Sequence, residues 1–451
     1  MTTDLRTRIN DSPMTKYQWG AVSICVLLNV LDGFDVLVMA FTAQAVSDDF
    51  GISGSVLGLL LSAGLVGMAV GSMALAPLAD TIGRRGLILL CLVLASSGML
   101  LSAASQNATQ LGLLRVLTGL GIGGILASSN VVASEYASSR WRGLAVSLNS
   151  TGYAVGATTG GLIAVVLIGG FGWRSVFVFG GVCTALMIPV VYLRLPESLD
   201  FLLTRRPKNA LERINAFAQR SGQPPLAELP VVASDGDSDE APKNRVQQLL
   251  RGDLKRQTLL VWFAFFLTMF GFYFVTSWTP KLLVEAGLSP EQGVTGGLLL
   301  NLGGIFGATL LGVLSSRILL NKVLVAYMAL SGLLLLAFVP ATQVVAIAFA
   351  IGIVIGVFVN GCIAGLYALT PVVYPAAVRA TGVGWAIGVG RIGAILSPIL
   401  AGLLLDAGWS ATQLYAMVGV FFVAAAFVVS RIRQGESPRT EVEATSNTVR
   451  S

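Results

Sequence analysis

"NVLDGFDVLVMA", residues 29–40, sets Asp32 and Asp35 three positions apart inside a long apolar run. The run continues on both sides without the alternation of a barrel strand. It is long enough to cross a hydrocarbon core of roughly 30 Å as a helix. A charged side chain at the bilayer centre costs about 2.5–3.5 kcal/mol, so carboxylates placed there face a bundle interior and are functional by default.

The rest of the chain repeats this pattern. Of its 451 residues 55% are hydrophobic and only 12% charged, with a mean hydropathy of +0.79, against about 25% charged residues in soluble domains. Twelve spans are predicted, at 19–43, 56–79, 86–105, 109–130, 143–168, 175–194, 257–280, 292–315, 322–340, 343–367, 380–405 and 411–430. The expected fold class is therefore an all-α polytopic membrane protein. The first sixteen residues are polar and run into a full-length span without a small-residue cleavage site, which predicts that the first span is retained. Cys25, Cys91, Cys183 and Cys362 all lie in apolar spans, where they read as small core residues. Histidine is absent, so no metal site or cofactor is expected and proton chemistry falls to carboxylates.

Orientation follows from the basic residues. With both termini cytoplasmic, 25 of the 29 Lys and Arg fall on the cytoplasmic side; only Arg174 and Lys281 fall outside, and Arg115 and Arg391 lie within spans. The net charge of +6 thus reflects topology, and no nucleic-acid partner is needed to explain it. A cell-membrane location is expected.

The chain also repeats internally. "APLADTIGRRG" from Ala76 has a worn counterpart in "GVLSSRILLNK" from Gly312, an offset of 236; Arg142 and Arg379 precede the fifth and eleventh spans 237 apart; Trp173 and Trp409 lie 236 apart. These offsets predict two six-helix halves. The expected organisation is a tail at 1–18, a bundle at 19–194, a cytoplasmic loop at 195–256, a second bundle at 257–430 and a tail at 431–451. The "DGDSDE" run in the loop reads as a solvated, flexible stretch.

The whole chain resembles the major facilitator superfamily. "ADTIGRR" resembles its signature after the second helix through Asp80, Gly83, Arg84 and Arg85, although Ala76 and Thr81 depart from the pattern; "RVLTGLGIGG" resembles the fourth-helix signature through Arg115, Gly119 and Gly121. "LDGFD", "LPESLDFL" and "GRIGAILSP" resemble the aromatic acid:proton symporters within it. That resemblance implies proton-coupled import of a benzoate-, hydroxybenzoate-, gentisate- or protocatechuate-like acid. It also implies that Asp80, Arg84, Arg85, Glu135 and Arg142 form a gating network at the cytoplasmic helix ends.

The residues themselves point the same way. Asp32 and Asp35 share a helix face with Asn29, a stripe that can point into a cavity, so Asn29 is a further substrate-binding candidate. Neighbouring buried carboxylates disfavour simultaneous ionisation, so the pair can carry a proton. A guanidinium can hold an aromatic carboxylate through paired hydrogen bonds. Arg391, at a depth similar to Asp32, is the first candidate for that clamp and Arg115 the second, with bracing of the bundle as the alternative for Arg115. Tyr273, Asn301, Asn360, Tyr367 and Trp385 are further candidates to stack on or hydrogen-bond a substrate ring, packing being the usual role of membrane aromatics. The expected partners are an aromatic acid anion, protons and the lipid bilayer, and a monomer is expected. A proton-coupled exporter of drugs or lipophilic cations is the rival; it leaves two intramembrane arginines without a purpose. An enzyme is not expected, for no nucleophile–base pair, metal cluster or nucleotide loop is present.

Overall fold

The computed structural model describes residues 8, 10, 12–207, 209–226, 229, 242–375 and 378–432, and every regular element among them is helical. The chain packs as two compact units, Met1–Asp237 with Ser289–Leu298, and Ser238–Leu288 with Leu299–Ser451. Helices of the N-terminal stretch are α1 (Lys16–Phe50), α2 (Gly54–Ala74), the short α3 (Ala79–Ile82), α4 (Arg84–Ala103), α5 (Ala108–Tyr136), α6 (Ser139–Phe171), α7 (Trp173–Arg194), α8 (Leu199–Arg205) and α9 (Ala210–Arg220). The C-terminal stretch holds α10 (Pro242–Leu249), α11 (Gly252–Glu285), α12 (Pro290–Ser315), α13 (Leu320–Ala341), α14 (Val345–Val373), α15 (Arg379–Asp406) and α16 (Ala411–Ser430). Twelve of these, α1, α2, α4–α7 and α11–α16, are long and apolar enough to cross a membrane. The protein is a multi-pass membrane protein.

Local chemistry sets the helix ends. Thr15 and Gln18 form a reciprocal cap at the start of α1, the Thr15 N–H donating to Gln18 Oε1 at 2.9 Å. The helix stops at Gly51, whose φ of +59° is left-handed and suits a residue without Cβ. Its 35 residues span about 52 Å at 1.5 Å each, so α1 reaches well beyond the hydrocarbon layer.

In the first unit α1 packs along α6, α2 along α5, and α4 against α5 and α7. The closest of these approaches explains the glycine of the quoted motif. A Cβ on Gly33 would collide with the main-chain carbonyl of Tyr153 in α6, and one on Gly156 with that of Val30 in α1. Small residues on both sides let the two backbones touch. Phe34 then wedges between Gly160 of α6 and Gly180 of α7 and meets Phe179 edge-on, centroids 5.8 Å apart. The second unit repeats the pairing, α11 along α15 and α13 against α16.

The stretch read from sequence as a plain linker is in part ordered. α9 is amphipathic, and its Ile214, Phe217 and Ala218 join Leu199 and Leu202 of α8 in a core shared with α1, α4, α5 and α7. Tyr136 of α5 meets Phe217 edge-on at 5.0 Å. The "DGDSDE" run, residues 235–240, lies outside the described residues.

Candidate functional site

Asp32 and Asp35 are 3% and 2% exposed, at mid-length of α1. Asp35 is enclosed by α5 and α7: it interacts electrostatically with Arg115, and the Thr184 hydroxyl lies beside its carboxylate. Arg115, itself 2% exposed, donates from Nη2 to the main-chain oxygen of Asp35 at 2.8 Å and from Nη1 to Met99 Sδ at 3.3 Å. Its guanidinium sits over the Phe177 ring at 5.9 Å. Gly64 of α2 leaves it room, since a Cβ there would stand 3.2 Å from Nη2. One cation of α5 thereby ties together α1, α2, α4 and α7.

One turn before Asp32, Asn29 belongs to a polar seam that the sequence reading missed. Its Nδ2 donates to Asn149 Oδ1 at 2.8 Å and to Ser129 Oγ at 3.1 Å, and Asn149 Nδ2 donates to Asn130 Oδ1 at 2.7 Å. Asn149 is fully buried. Buried amides held this way fix the mutual rotation of α1, α5 and α6, because each lost partner leaves a desolvated polar group. Single polar residues in "SSNVV" and "SLNS" were the available signal.

In the second unit the structure gathers three of the expected residues around α11. Arg391 of α15 interacts electrostatically with Tyr367 of α14, which meets Phe265 edge-on at 5.7 Å. Trp385 stacks on Trp262 with centroids 5.7 Å apart and planes 25° apart. Tyr367 and Trp385 are both exposed. Among the described residues of its own unit, Arg391 makes no salt bridge and no side-chain hydrogen bond. Tyr273 packs edge-on against its neighbour Phe272. Asn301 is buried in α12; Asn360 lies against Gly304, one turn along from Asn301, and donates to the Gly356 carbonyl at 3.1 Å.

A second polar group lies at the basic end of the first unit. Arg84 Nε stands 3.5 Å from Glu135 Oε1, and Ser198 Oγ donates to Glu135 Oε2 at 2.7 Å. Glu197 accepts the backbone N–H groups of Arg85 and Ser198, each at 3.0 Å. Arg85 also donates to the Tyr192 carbonyl, and the Tyr136 hydroxyl to the Glu197 carbonyl. Arg142 Nη2 donates to Asn10 Oδ1 at 2.6 Å and its Nε to the Ser134 carbonyl at 3.2 Å. Asp80 is exposed, and among the described residues no ion pair reaches it. Glu197 and Ser198, from the "LPESLDFL" stretch, are thus members of this network that residue-by-residue reading did not single out.

A family model described as the Major Facilitator Superfamily matches residues 23–351. The chain belongs to the major facilitator superfamily. Among similar proteins are the 4-hydroxybenzoate transporter PcaK of Pseudomonas putida, 33% identical with 91% of each chain covered, and the gallate transporter of Pseudomonas putida, 32% identical with 94% of each covered. The gentisate transporter of Corynebacterium glutamicum is 27% identical, covering 91% of this chain and 86% of that one. The fold is similar to that of the xylose transporter XylE from E. coli, whose matched structure is of its inward-open conformation, with a TM-score of 0.71 at 17% identity over 93% of this chain and 98% of that one. Its relatives are named transporters and not enzymes. Of this facilitator's candidate residues, Asn360, Tyr367, Trp385 and Arg391 lie beyond the span of the family model, and the full-length relatives extend over them.

Proposed function

We propose that this facilitator imports an aromatic carboxylate together with protons by alternating access of its two halves, with the basic end and both termini in the cytoplasm of the cell membrane. The observation that carries the reading is the contrast between the two intramembrane arginines. Arg115 is engaged by the Asp35 carbonyl, Met99 and Phe177, whereas among the described residues of its own unit Arg391 has no acidic partner and interacts with the exposed Tyr367. A guanidinium next to an aromatic side chain offers what a benzoate-like anion needs, paired donors for the carboxylate and stacking surface for the ring. That full-length relatives are named as transporters of 4-hydroxybenzoate, gallate and gentisate supports the same class of cargo.

In this reading Arg391 clamps the carboxylate, Tyr367 and Trp385 stack on the ring, and Asp32 or Asp35 takes the proton. Binding of the anion and of a proton are then coupled, because the protein loaded with both carries less net charge within the bilayer than the protein loaded with either alone, and so costs less to occlude in low dielectric. One proton per anion leaves transport indifferent to voltage; two would add about 2.3 kcal/mol of drive per 100 mV. The network of Arg84, Arg85, Glu135 and Glu197 acts as the gate, with ion pairs that exchange as the halves rock. The test is uptake of radiolabelled 4-hydroxybenzoate against efflux of ethidium, each with and without an uncoupler. Uncoupler-sensitive uptake of the acid supports the proposal; uncoupler-sensitive ethidium efflux without acid uptake defeats it in favour of a drug exporter.

A further inference from the structure

A cavity of about 170 Å³ opens at the basic end of the first unit, far larger than the ~10–15 Å³ that one water needs. Its walls carry four arginines, Arg85 of α4, Arg194 at the end of α7, and Arg213 and Arg220 of α9, against the single carboxylate of Glu197. That carboxylate is already turned to two backbone N–H groups. Arg220 lies over the Tyr17 ring at 5.4 Å, and Arg85 over the Tyr192 ring at 5.2 Å. Among the described residues no salt bridge reaches Arg194, Arg213 or Arg220. Like charges brought together without counter-charge raise the energy of the fold unless an anion joins them.

We propose that this cavity binds a phosphate-bearing anion, and that the phosphate diester of an anionic phospholipid is its natural source. The chemistry of the rim carries the second half of the statement. Leu193 lines the cavity and is 72% exposed, and its neighbour Tyr192 is 61% exposed. Apolar surface in the last turn of a membrane-crossing helix therefore runs directly into a basic hollow. A phospholipid fits both parts, acyl chain along α7 and phosphate among the guanidinium groups, which bind phosphate by paired donors. The site touches the gate through Arg85 and Glu197, so its occupant would brace α4 against the loop after α7. It shares no residue with the proposed aromatic-acid site, and its test is independent of what is transported.

The test uses the full chain in a neutral detergent, titrated with phosphatidylglycerol or phosphatidylcholine and read by native mass spectrometry. The comparison is with Arg194→Gln/Arg213→Gln/Arg220→Gln and with a charge-matched control, Arg140→Gln/Arg205→Gln/Arg206→Gln, outside the cavity. Phosphatidylglycerol should bind the wild type and the control alike. It should bind the cavity variant at least about tenfold more weakly, each arginine near a membrane surface being worth roughly fivefold. Displacement by inorganic phosphate would identify the phosphate group itself as the recognised element and admit a soluble source; resistance to it would assign the site to the lipid. Equal weakening in the control, or binding of phosphatidylcholine as tight as that of phosphatidylglycerol, would overturn the proposal.

Discussion

Replacing Arg115 by methionine separates a brace from a substrate clamp. The change keeps an unbranched apolar stem but removes the guanidinium, with its donors to the Asp35 carbonyl and to Met99 and its place over the Phe177 ring. It also leaves the Asp35 carboxylate, 2% exposed, without its cation. Breaking a buried charge pair by deleting one member costs about 3–5 kcal/mol. At the roughly 2–4 °C per kcal/mol of a domain of 150–250 residues, the melting temperature in detergent should fall by about 6–20 °C. Adding Asp35→Asn to Arg115→Met removes the orphaned charge, so the double variant should be more stable than Arg115→Met by at least ~1 kcal/mol, a coupling visible in a double-mutant cycle. The four proteins would be compared by intrinsic tryptophan fluorescence on heating. Strict additivity, or a variant that melts with the wild type while losing substrate affinity, would refute the bracing role.

Other expectations follow from the same contacts. Arg391→Gln should raise the KM for aromatic acid uptake about tenfold or more, as the loss of a bidentate charged pair implies, without moving the melting temperature; an unchanged KM would remove Arg391 from the site. Gly33→Ala places a methyl group against the Tyr153 carbonyl and should destabilise the first unit by about 1–3 kcal/mol, read as a lower melting temperature. Asp80→Asn, at an exposed carboxylate, should leave the melting temperature unchanged, and any fall in transport at normal expression would mark Asp80 as part of the moving gate.

Much of the fold was legible because a span needs only an uninterrupted apolar run, and all twelve runs became helices. Their ends were less so. α1 continues to Phe50, past the expected 43, because Gln44, Ser47, Asp48 and Asp49 are polar yet compatible with a helix: hydropathy marks where the apolar environment stops, whereas the chain stops at Gly51. α8 and α9 escaped notice because they are short and polar on one side, although Ile214, Phe217 and Ala218 carry the i, i+3, i+4 spacing of a buried face. The pairing of Asp35 with Arg115 joins residues 80 apart and that of Asn29 with Asn149 residues 120 apart. Residue type announces such groups as costly in a membrane, but only packing chooses their partners.

The most direct measurement of the central claim is the internal pH of proteoliposomes loaded with a pH-sensitive dye. When 4-hydroxybenzoate is added outside, the lumen of vesicles holding the wild type should acidify faster than that of protein-free vesicles, and the excess should vanish with Asp32→Asn. Uptake of the labelled acid by the wild type with no acidification beyond the protein-free rate would contradict proton coupling through the α1 carboxylates.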